Sequence, residues 1–142
     1  MDGVICTDGS IFAMFSWKRP ANLGVRDGRL APCKRTPNCV SSQADPADRE
    51  HYVPPITFRG STRDLRRAIE AMPRSRVIRE EGNYLYAEFR SRLMRYVDDL
   101  ELYYLPQQNL VHVRSASRLG RRDFGVNRAR VEELRALIRS SG

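Results

Sequence analysis

The sequence predicts an α+β fold, in which two helices pack on one face of a curved antiparallel sheet of about four to five strands. Three observations predict it: an amphipathic stretch after residue 61, four strand patterns in succession over residues 76–117, and a second amphipathic stretch near the C-terminal end. Strands that follow one another closely pair as an antiparallel sheet, and helices must then cover its apolar face. At 142 residues, the chain has room for one such domain.

The first 55 residues show little periodicity. We predict a tail or linker over residues 1–29, because glycines punctuate it and its apolar window, Ile11–Trp17, is short. The alternative is that this stretch is the remnant of an export or anchor segment. The domain is predicted over residues 30–142. Its first part, Leu30–Pro55, has five prolines and is expected to form an extended, turn-rich loop that wraps the domain. No stretch approaches the ~20 apolar residues of a membrane span, so the chain as written is expected to be soluble.

The first helix is predicted after a short strand at Ile56–Phe58. Ser61 and Asp64 have the spacing of a capping box, and Pro73 ends the pattern. The buried side of this helix is predicted from apolar residues at helical spacing, namely Leu65, Ala68, Ile69 and Met72.

Four strands are predicted next. Arg76–Glu80 leads through a Gly82-Asn83 turn into Tyr84–Arg90, whose apolar and polar residues alternate. Arg95–Leu105 follows, and a turn at residues 106–109 leads into Leu110–Ser117. The last element is a helix over Asn127–Arg139, with Asn127 as its N-cap.

Alternation along the last two strands predicts two polar faces. Asp99 and Glu101 share one face of their strand, and Asp98 lies with Leu100 on the other. On the neighbouring strand one face carries His112, Arg114, Ala116 and Arg118, and the other carries Val111, Val113, Ser115 and Ser117. We therefore expect the carboxylate of Asp98 or Asp99 to reach Arg114 across the strands.

The same alternation weighs against two catalytic pairs. Asp98 and Asp99 are adjacent in a strand, so without a bulge they point to opposite faces and cannot act together as acid and base. His112 lies across the sheet from Ser115 and Ser117, which disfavours a serine nucleophile with this histidine as its base.

The loop Gly120–Asn127 joins the last strand to the last helix and has the composition of an anion site. Its glycines permit positive φ, Asp123 can hold turn amides, and Arg128 and Arg130 accompany a helix N-terminus. No Walker or dinucleotide glycine spacing is present. The alternative is a buried ion-pair network that locks the last helix to the sheet.

The three cysteines are Cys6, Cys33 and Cys39. Cys33 and Cys39 enclose a short loop, so a local disulfide is feasible in an oxidising compartment, and free thiols are the alternative. A Cys39 nucleophile with His51 as its base is a weaker interpretation. We expect no metal, because C-x5-C is not a standard zinc spacing and the histidines are His51 and His112. No cofactor is expected.

The basic residues are strongly biased. Of 25 basic residues, 23 are arginine, and the net charge is +8. Arginine suits carboxylate and phosphate, so an anionic partner fits this composition. We disfavour nucleic acid because the arginines are spread over every element and no lysine-arginine tract occurs.

Three segments, LAPCKRTPNCVSSQA, YVDDLELYY and VRSASRLGRRDFGVNRARVEELR, occur in this order. Together they resemble domain-of-unknown-function family 1499, a group of bacterial and plastid proteins without an established activity, over roughly Leu30 to Ile138. The resemblance implies that the three segments meet in space. It assigns the signature to Pro37, Asn38, Cys39, Val40, Ser41, Ser42, Asp98, Asp99, Arg114, Ser115, Ser117, Arg118, Gly120, Asp123, Gly125, Asn127 and Arg128.

The resemblance also implies a compartment. Similar proteins often carry an N-terminal lipoprotein signal or membrane segment, which suggests the cell envelope or periplasm. The first residues of this chain depart from that pattern, because they are acidic at Asp2 and only briefly apolar.

Two hypotheses of function result. The preferred one is a non-enzymatic domain that binds an anionic small ligand or a protein partner, with the guanidinium groups of Arg114, Arg118 and Arg128 converging in one concavity. The alternative is an uncharacterised hydrolase or transferase that uses Asp98 or Asp99, or Cys39. The predicted binding residues are Arg114, Ser115, Ser117, Arg118, Asp123, Asn127, Arg128, Asp98, Asp99 and Asn38.

Overall fold

The structure, a computed structural model, describes residues 18–92 and 96–141. Its strands are β1 (Cys39–Ser41), β2 (Ile56–Thr57), β3 (Ser75–Glu81), β4 (Tyr84–Arg90), β5 (Val97–Leu105) and β6 (Leu110–Ser117). Its helices are α1 (Thr62–Glu70) and α2 (Val126–Ser141), and a short 3-10 turn covers Pro106–Gln108. Among the described residues, no helix has the length and apolarity that crossing a bilayer requires.

The strands form one antiparallel sheet in the order β1, β6, β5, β4, β3, and β2 pairs with β6 farther along the same edge as β1. Both helices cover one face of this sheet, here called the inner face. The predicted α+β fold with a curved antiparallel sheet is confirmed, and the described sheet has six strands where we expected four to five.

The core fills the inner face. Leu65 and Ile69 of α1 and Val131 and Leu134 of α2 are fully buried against the sheet. The sheet contributes the apolar residues of its inward alternation, namely Leu85, Ala87, Phe89, Leu100, Leu102, Val111 and Val113. Burial of each large aliphatic side chain is worth roughly 1.5–3 kcal/mol, so this layer holds the helices in place.

Most of these elements lie where the local sequence patterns predict them. The capping box is present: the Ser61 side chain accepts from the Asp64 amide, and the Asp64 carboxylate accepts from the Ser61 amide. The β5–β6 connection turns through Asn109, which adopts the left-handed region at φ 52°. The prediction that Asn127 caps the last helix is wrong, because α2 begins at Val126 and the Asp123 carboxylate accepts from the Asn127 amide.

Two predictions about the first 55 residues need correction. The segment Leu30–Pro55, predicted as a loop, contains β1, which pairs with β6 over three residues. Residues 18–29 were predicted as part of a tail, but Leu23 and Val25 pack with Leu30 against Tyr84 and Tyr86. We call residues 18–32 the cover segment, because they lie on the outer face of the sheet, opposite the helices. Residues 1–17 of the predicted tail lie outside the described residues.

Candidate functional site

The sheet separates two polar clusters. Alternation along β5 places Asp99 and Glu101 on the outer face and Asp98 on the inner face, as predicted. On β6, Arg114 and Arg118 lie on the outer face, and Ser115 and Ser117 lie on the inner face.

Arg118 is the centre of the outer cluster. Its Nε and Nη2 donate to the two carboxylate oxygens of Asp99 at 2.9 and 2.8 Å, and Nη2 also donates to Glu88 at 2.6 Å. Tyr86 accepts from the same Nη2 at 3.0 Å and donates to Asp99. Bidentate pairs of this kind are the strongest that arginine makes, and here the side chains are more than nine-tenths buried.

Arg114 and Glu101 form the second part of the outer cluster. Register places them directly opposite each other, with Nη1 3.7 Å from Oε1. The second oxygen of Glu101 accepts from the Gly24 amide at 2.8 Å and from the Tyr84 hydroxyl at 2.6 Å. Glu101 is therefore the partner of Arg114, and the prediction that Asp98 or Asp99 reaches Arg114 is wrong. The offset between the strands puts Ala116 opposite Asp99 and Ser117 opposite Asp98.

The cover segment closes this cluster. Arg19 donates to Glu88 at 2.6 Å, and the Pro32 carbonyl accepts from Arg114 at 3.3 Å. The carboxylates of Glu88, Asp99 and Glu101 thus face the guanidinium groups of Arg19, Arg114 and Arg118. Buried charges are tolerated in a protein interior when they are paired in this way.

Burial and pairing shift the proton affinities of these groups. Burial, with the hydrogen bonds to Glu101 and Asp99, raises the pKa of Tyr84 and Tyr86 well above the ordinary value, so both remain protonated donors. Burial acts to raise the pKa of Glu88, but hydrogen bonds from Arg19 and Arg118 outweigh it and lower the pKa overall. The two tyrosines therefore stay neutral donors and Glu88 stays a charged acceptor, which suits a structural role.

The inner cluster is built around Asn127, which is fully buried at the start of α2. Its oxygen accepts from Ser115 at 2.6 Å, and its amide nitrogen donates to Ser117 at 2.9 Å and to Asp123 at 2.8 Å. Arg130 bridges the same oxygen to Asp98, donating at 2.8 and 2.9 Å. This cluster bonds the N-terminal turn of α2 to β5 and β6.

Asn38 connects the residues before β1 to the inner cluster. Its carbonyl accepts from the Ser117 amide at 3.0 Å and from the side chain of Asn127 at 3.3 Å. Its side-chain nitrogen donates to the carbonyls of Leu119 and Gly120 at 3.3 and 2.8 Å. The residue before β1 therefore holds the start of the 120–125 loop.

The family model described as Protein of unknown function (DUF1499) matches residues 29–138. The chain belongs to this family. No curated protein and no solved structure matches the chain.

The three segments that carry the resemblance to the DUF1499 family meet around the inner cluster. Asn38 represents the first segment, Asp98 the second, and Ser115, Ser117, Asp123 and Asn127 the third. Asp99 and Arg118 of the same segments meet on the outer face instead. These signature residues therefore belong to two bonded networks on opposite sides of β5 and β6.

The predicted arginines do not converge in this DUF1499 protein. Arg114 and Arg118 are buried on the outer face, whereas Arg128 donates to the carbonyls of Tyr52, Arg49 and Glu50 at 2.9, 3.0 and 3.1 Å. The helix N-terminus is also engaged, because Asp123 accepts from the amides of Gly125 and Asn127. Ligand binding by these residues stays a prediction, and the geometry gives each of them a partner within the fold.

The candidate catalytic groups also have partners. Asp98 bonds Arg130, and Asp99 bonds Arg118. Cys39 is joined to Cys33 as a disulfide. His112 lies 2.9 Å from the Ser42 hydroxyl, across the sheet from Ser115 and Ser117. Within the described residues, no group of three or more His, Cys, Asp or Glu side chains could hold a metal ion.

Exposed arginines lie beside these networks. Arg121 and Arg122 are exposed in the 120–125 loop, and Arg35 is exposed in the loop closed by the disulfide. The three line one cavity of about 450 Å³ together with Thr36, Pro37 and Glu50. The sequence placed Arg121 and Arg122 in a polar loop, but their approach to Arg35 depends on the contact between Asn38 and Gly120, which no local pattern reveals.

His51 contacts two residues of the cavity wall, Thr36 and Glu50. Its Nδ1 is 2.8 Å from Asp48, and its Nε2 is 2.9 Å from the Thr36 carbonyl. Burial acts to lower the pKa of His51, but the hydrogen bonds to Asp48 and Thr36 raise it overall. Both ring nitrogens face acceptors, so the imidazolium form fits this position. Glu50, the acidic group of the cavity wall, lies 3.6 Å from the same ring.

Proposed function

We propose that this protein is a non-enzymatic binding domain for an anionic partner, and that Arg35, Arg121 and Arg122 form its binding site. One observation carries the proposal. These three exposed arginines line the same cavity, and among the described residues no carboxylate lies within ion-pair distance of any of them. Guanidinium groups that are exposed and unpaired can exchange water for phosphate or carboxylate oxygens.

Contrast with the buried arginines supports this assignment. The Nε and Nη2 of Arg118 already donate to Asp99, Glu88 and Tyr86, and its side chain is screened from solvent. A ligand could bind there only by displacing a buried carboxylate, which costs several kcal/mol. The exposed arginines require no such displacement.

The surrounding chain holds the site open. The disulfide closes the loop that carries Arg35, and Asn38 holds the carbonyl of Gly120 beside it. The two loops are thereby fixed to each other before any ligand arrives. Such preorganisation lowers the entropic cost of binding.

Inorganic pyrophosphate, a compact soluble polyanion, is the probe for the test. We expect titration into isotope-labelled protein to shift the backbone amide resonances of residues 35–38 and 120–125. The double variant Arg121→Gln/Arg122→Gln should weaken binding at least tenfold. The matched control is Arg63→Gln/Arg76→Gln, which removes the same charge at exposed positions of α1 and β3 and should bind as the wild type does.

Two outcomes would overturn the proposal. One is the absence of saturable shifts at these loops. The other is an equal loss of affinity in the two double variants, since that would show a response to net charge alone.

A further inference from the structure

We propose that the anionic partner is the surface of a bilayer that contains anionic phospholipids, and that Phe124 and Val126 enter it. The inference rests on the proposed function and names the partner of the same arginine site. It adds two apolar residues that the anion site itself does not use.

Phe124 is the first observation. Its side chain is 93% exposed, and Val126, two residues later, is 47% exposed. The exposed large hydrophobic residues of the described chain are these two and Tyr96; Phe124 lies in the 120–125 loop, and Val126 is the first residue of α2. An aromatic ring held in water is unfavourable, and these two neighbouring positions together offer apolar surface to a partner.

The backbone at Phe124 is the second observation. Its φ of +54° lies in the left-handed region, which is rare for a bulky residue. The loop is fixed on both sides: Asn38 holds the carbonyls of Leu119 and Gly120, and Asp123 holds the amides of Gly125 and Asn127. The fold therefore holds an exposed ring in a strained conformation, as binding segments often do.

The basic residues around Phe124 indicate which kind of partner binds. Arg121 and Arg122 are exposed immediately before the aromatic residue, and Lys34 and Arg35 are exposed on the adjoining loop. Basic side chains beside a protruding aromatic and an aliphatic residue fit the interface of an anionic bilayer, where the rings enter and the cations meet phosphates. A specific protein–protein interface buries about 800 Å² on each partner, and two exposed apolar side chains supply only a small part of that area.

Sedimentation with lipid vesicles tests the inference on the full chain. The vesicles contain either phosphatidylcholine alone or phosphatidylcholine with phosphatidylglycerol, and pyrophosphate binding is measured in parallel. We expect the wild type to partition onto the anionic vesicles and not onto the neutral ones. Phe124→Ser should lower that partitioning about tenfold and leave pyrophosphate binding unchanged.

Each arginine near a bilayer surface contributes about fivefold to partitioning. Arg121→Gln/Arg122→Gln should therefore lower vesicle binding by more than tenfold, and Arg63→Gln/Arg76→Gln should leave it near the wild-type value. Circular dichroism of Phe124→Ser confirms that the variant is folded, as its exposure in the structure predicts.

The outcomes separate the two proposals. Pyrophosphate binding without vesicle binding would overturn the bilayer inference and retain the proposed function. A wild-type protein that binds neither pyrophosphate nor anionic vesicles would overturn both proposals. Vesicle binding that Phe124→Ser leaves unchanged would overturn insertion of the loop.

Discussion

Arg118 shows how a single side chain determines whether a polar cluster is structural or functional. Five donor hydrogens in a rigid fork can be satisfied by a ligand or by the protein itself. Here Asp99, Glu88 and Tyr86 accept from its Nε and Nη2, and only 4% of the side chain is exposed. Arg121, three residues later, is exposed on the loop. The difference in burial is why we assign binding to the second arginine and folding to the first.

Truncation of Arg118 should therefore cost stability. Arg118→Ala leaves two carboxylates buried with one arginine fewer, so we expect the free energy of unfolding to fall by about 3–5 kcal/mol. Urea denaturation followed by circular dichroism measures this loss. Arg76→Ala, at an exposed position of β3, should change stability by less than about 0.5 kcal/mol. A loss in Arg118→Ala as small as that of the control would contradict the structural role.

The two histidines should titrate in opposite directions. Hydrogen bonds to Asp48 and Thr36 outweigh burial and raise the pKa of His51, whereas burial and the nearby charge of Arg29 lower the pKa of His112. The stability that His51 contributes is present below its unfolded value, near 6.5, and is lost as pH rises through the folded pKa. The contribution of His112 is present above 6.5 and is lost as pH falls through its folded pKa.

Titration followed by NMR of the imidazole resonances checks both histidine shifts in one sample. The His51 midpoint should lie above 6.5 and the His112 midpoint below it. Asp48→Asn removes the charged partner of His51 and should lower its midpoint while leaving His112 unaffected. A His51 midpoint that Asp48→Asn does not move would contradict the assignment.

At the scale of elements, α2 depends on polar contacts as much as on its apolar side. Val131 and Leu134 bury the middle of the helix, but its N-terminal turn is held by Asp123 and by Asn127. Asn127 is fully buried and joins the helix to both serines of β6. The register between α2 and the sheet is therefore set at this end.

Two variants distinguish the capping of α2 from its attachment to the sheet. Asp123→Ala removes the cap and should cost about 1 kcal/mol of stability. Asn127→Ala removes the acceptor of the buried Ser115 hydroxyl and the amide that donates to Ser117, so its loss should be larger, about 2–3 kcal/mol. Chemical denaturation measures both, and hydrogen exchange should show the earliest loss of protection in α2. Equal losses in the two variants would contradict a separate docking role for Asn127.

Strands β4 to β6 were predictable because apolar and polar residues alternate along them, and β3 because a turn at Gly82 connects it to β4. β1 was not, because Cys39, Val40 and Ser41 are all buried and show no alternation. That strand exists through its pairing with β6, some 75 residues later in the chain.

The ion pairs of the site were not predictable for a similar reason. Alternation gave the faces of Asp99 and Arg114 correctly. The offset between β5 and β6 decides which residues pair, and it depends on the turn that joins the two strands.

Across the whole molecule, the two faces of the sheet hold separate sets of paired charges, one under the cover segment and the other under the helices. The cover segment and the helices enclose the paired charges of the two faces, and the proposed site of Arg35, Arg121 and Arg122 lies at the end where β1 and β6 lead into the 33–39 and 120–125 loops. The family match begins at residue 29, although residues 18–28 contribute Arg19 and Gly24 to the outer cluster. The unit that folds is thus larger than the region that the family model describes.

The disulfide connects the stability of the whole domain to its binding site. Cys33 and Cys39 close a loop with a sequence separation of 6, and a loop this short restricts the unfolded chain by about 2 kcal/mol. We expect a reducing agent to lower the wild-type free energy of unfolding by about that amount.

Reduction should also weaken pyrophosphate binding, because Arg35 lies inside the closed loop and Asn38 beside Cys39 holds Gly120. The variant Cys33→Ala/Cys39→Ala should bind pyrophosphate weakly under all conditions and show no response to the reductant. Stability and affinity that stay unchanged when the wild type is fully reduced would show that the 120–125 loop is positioned without the disulfide, by the hydrogen bonds of Asn38 alone.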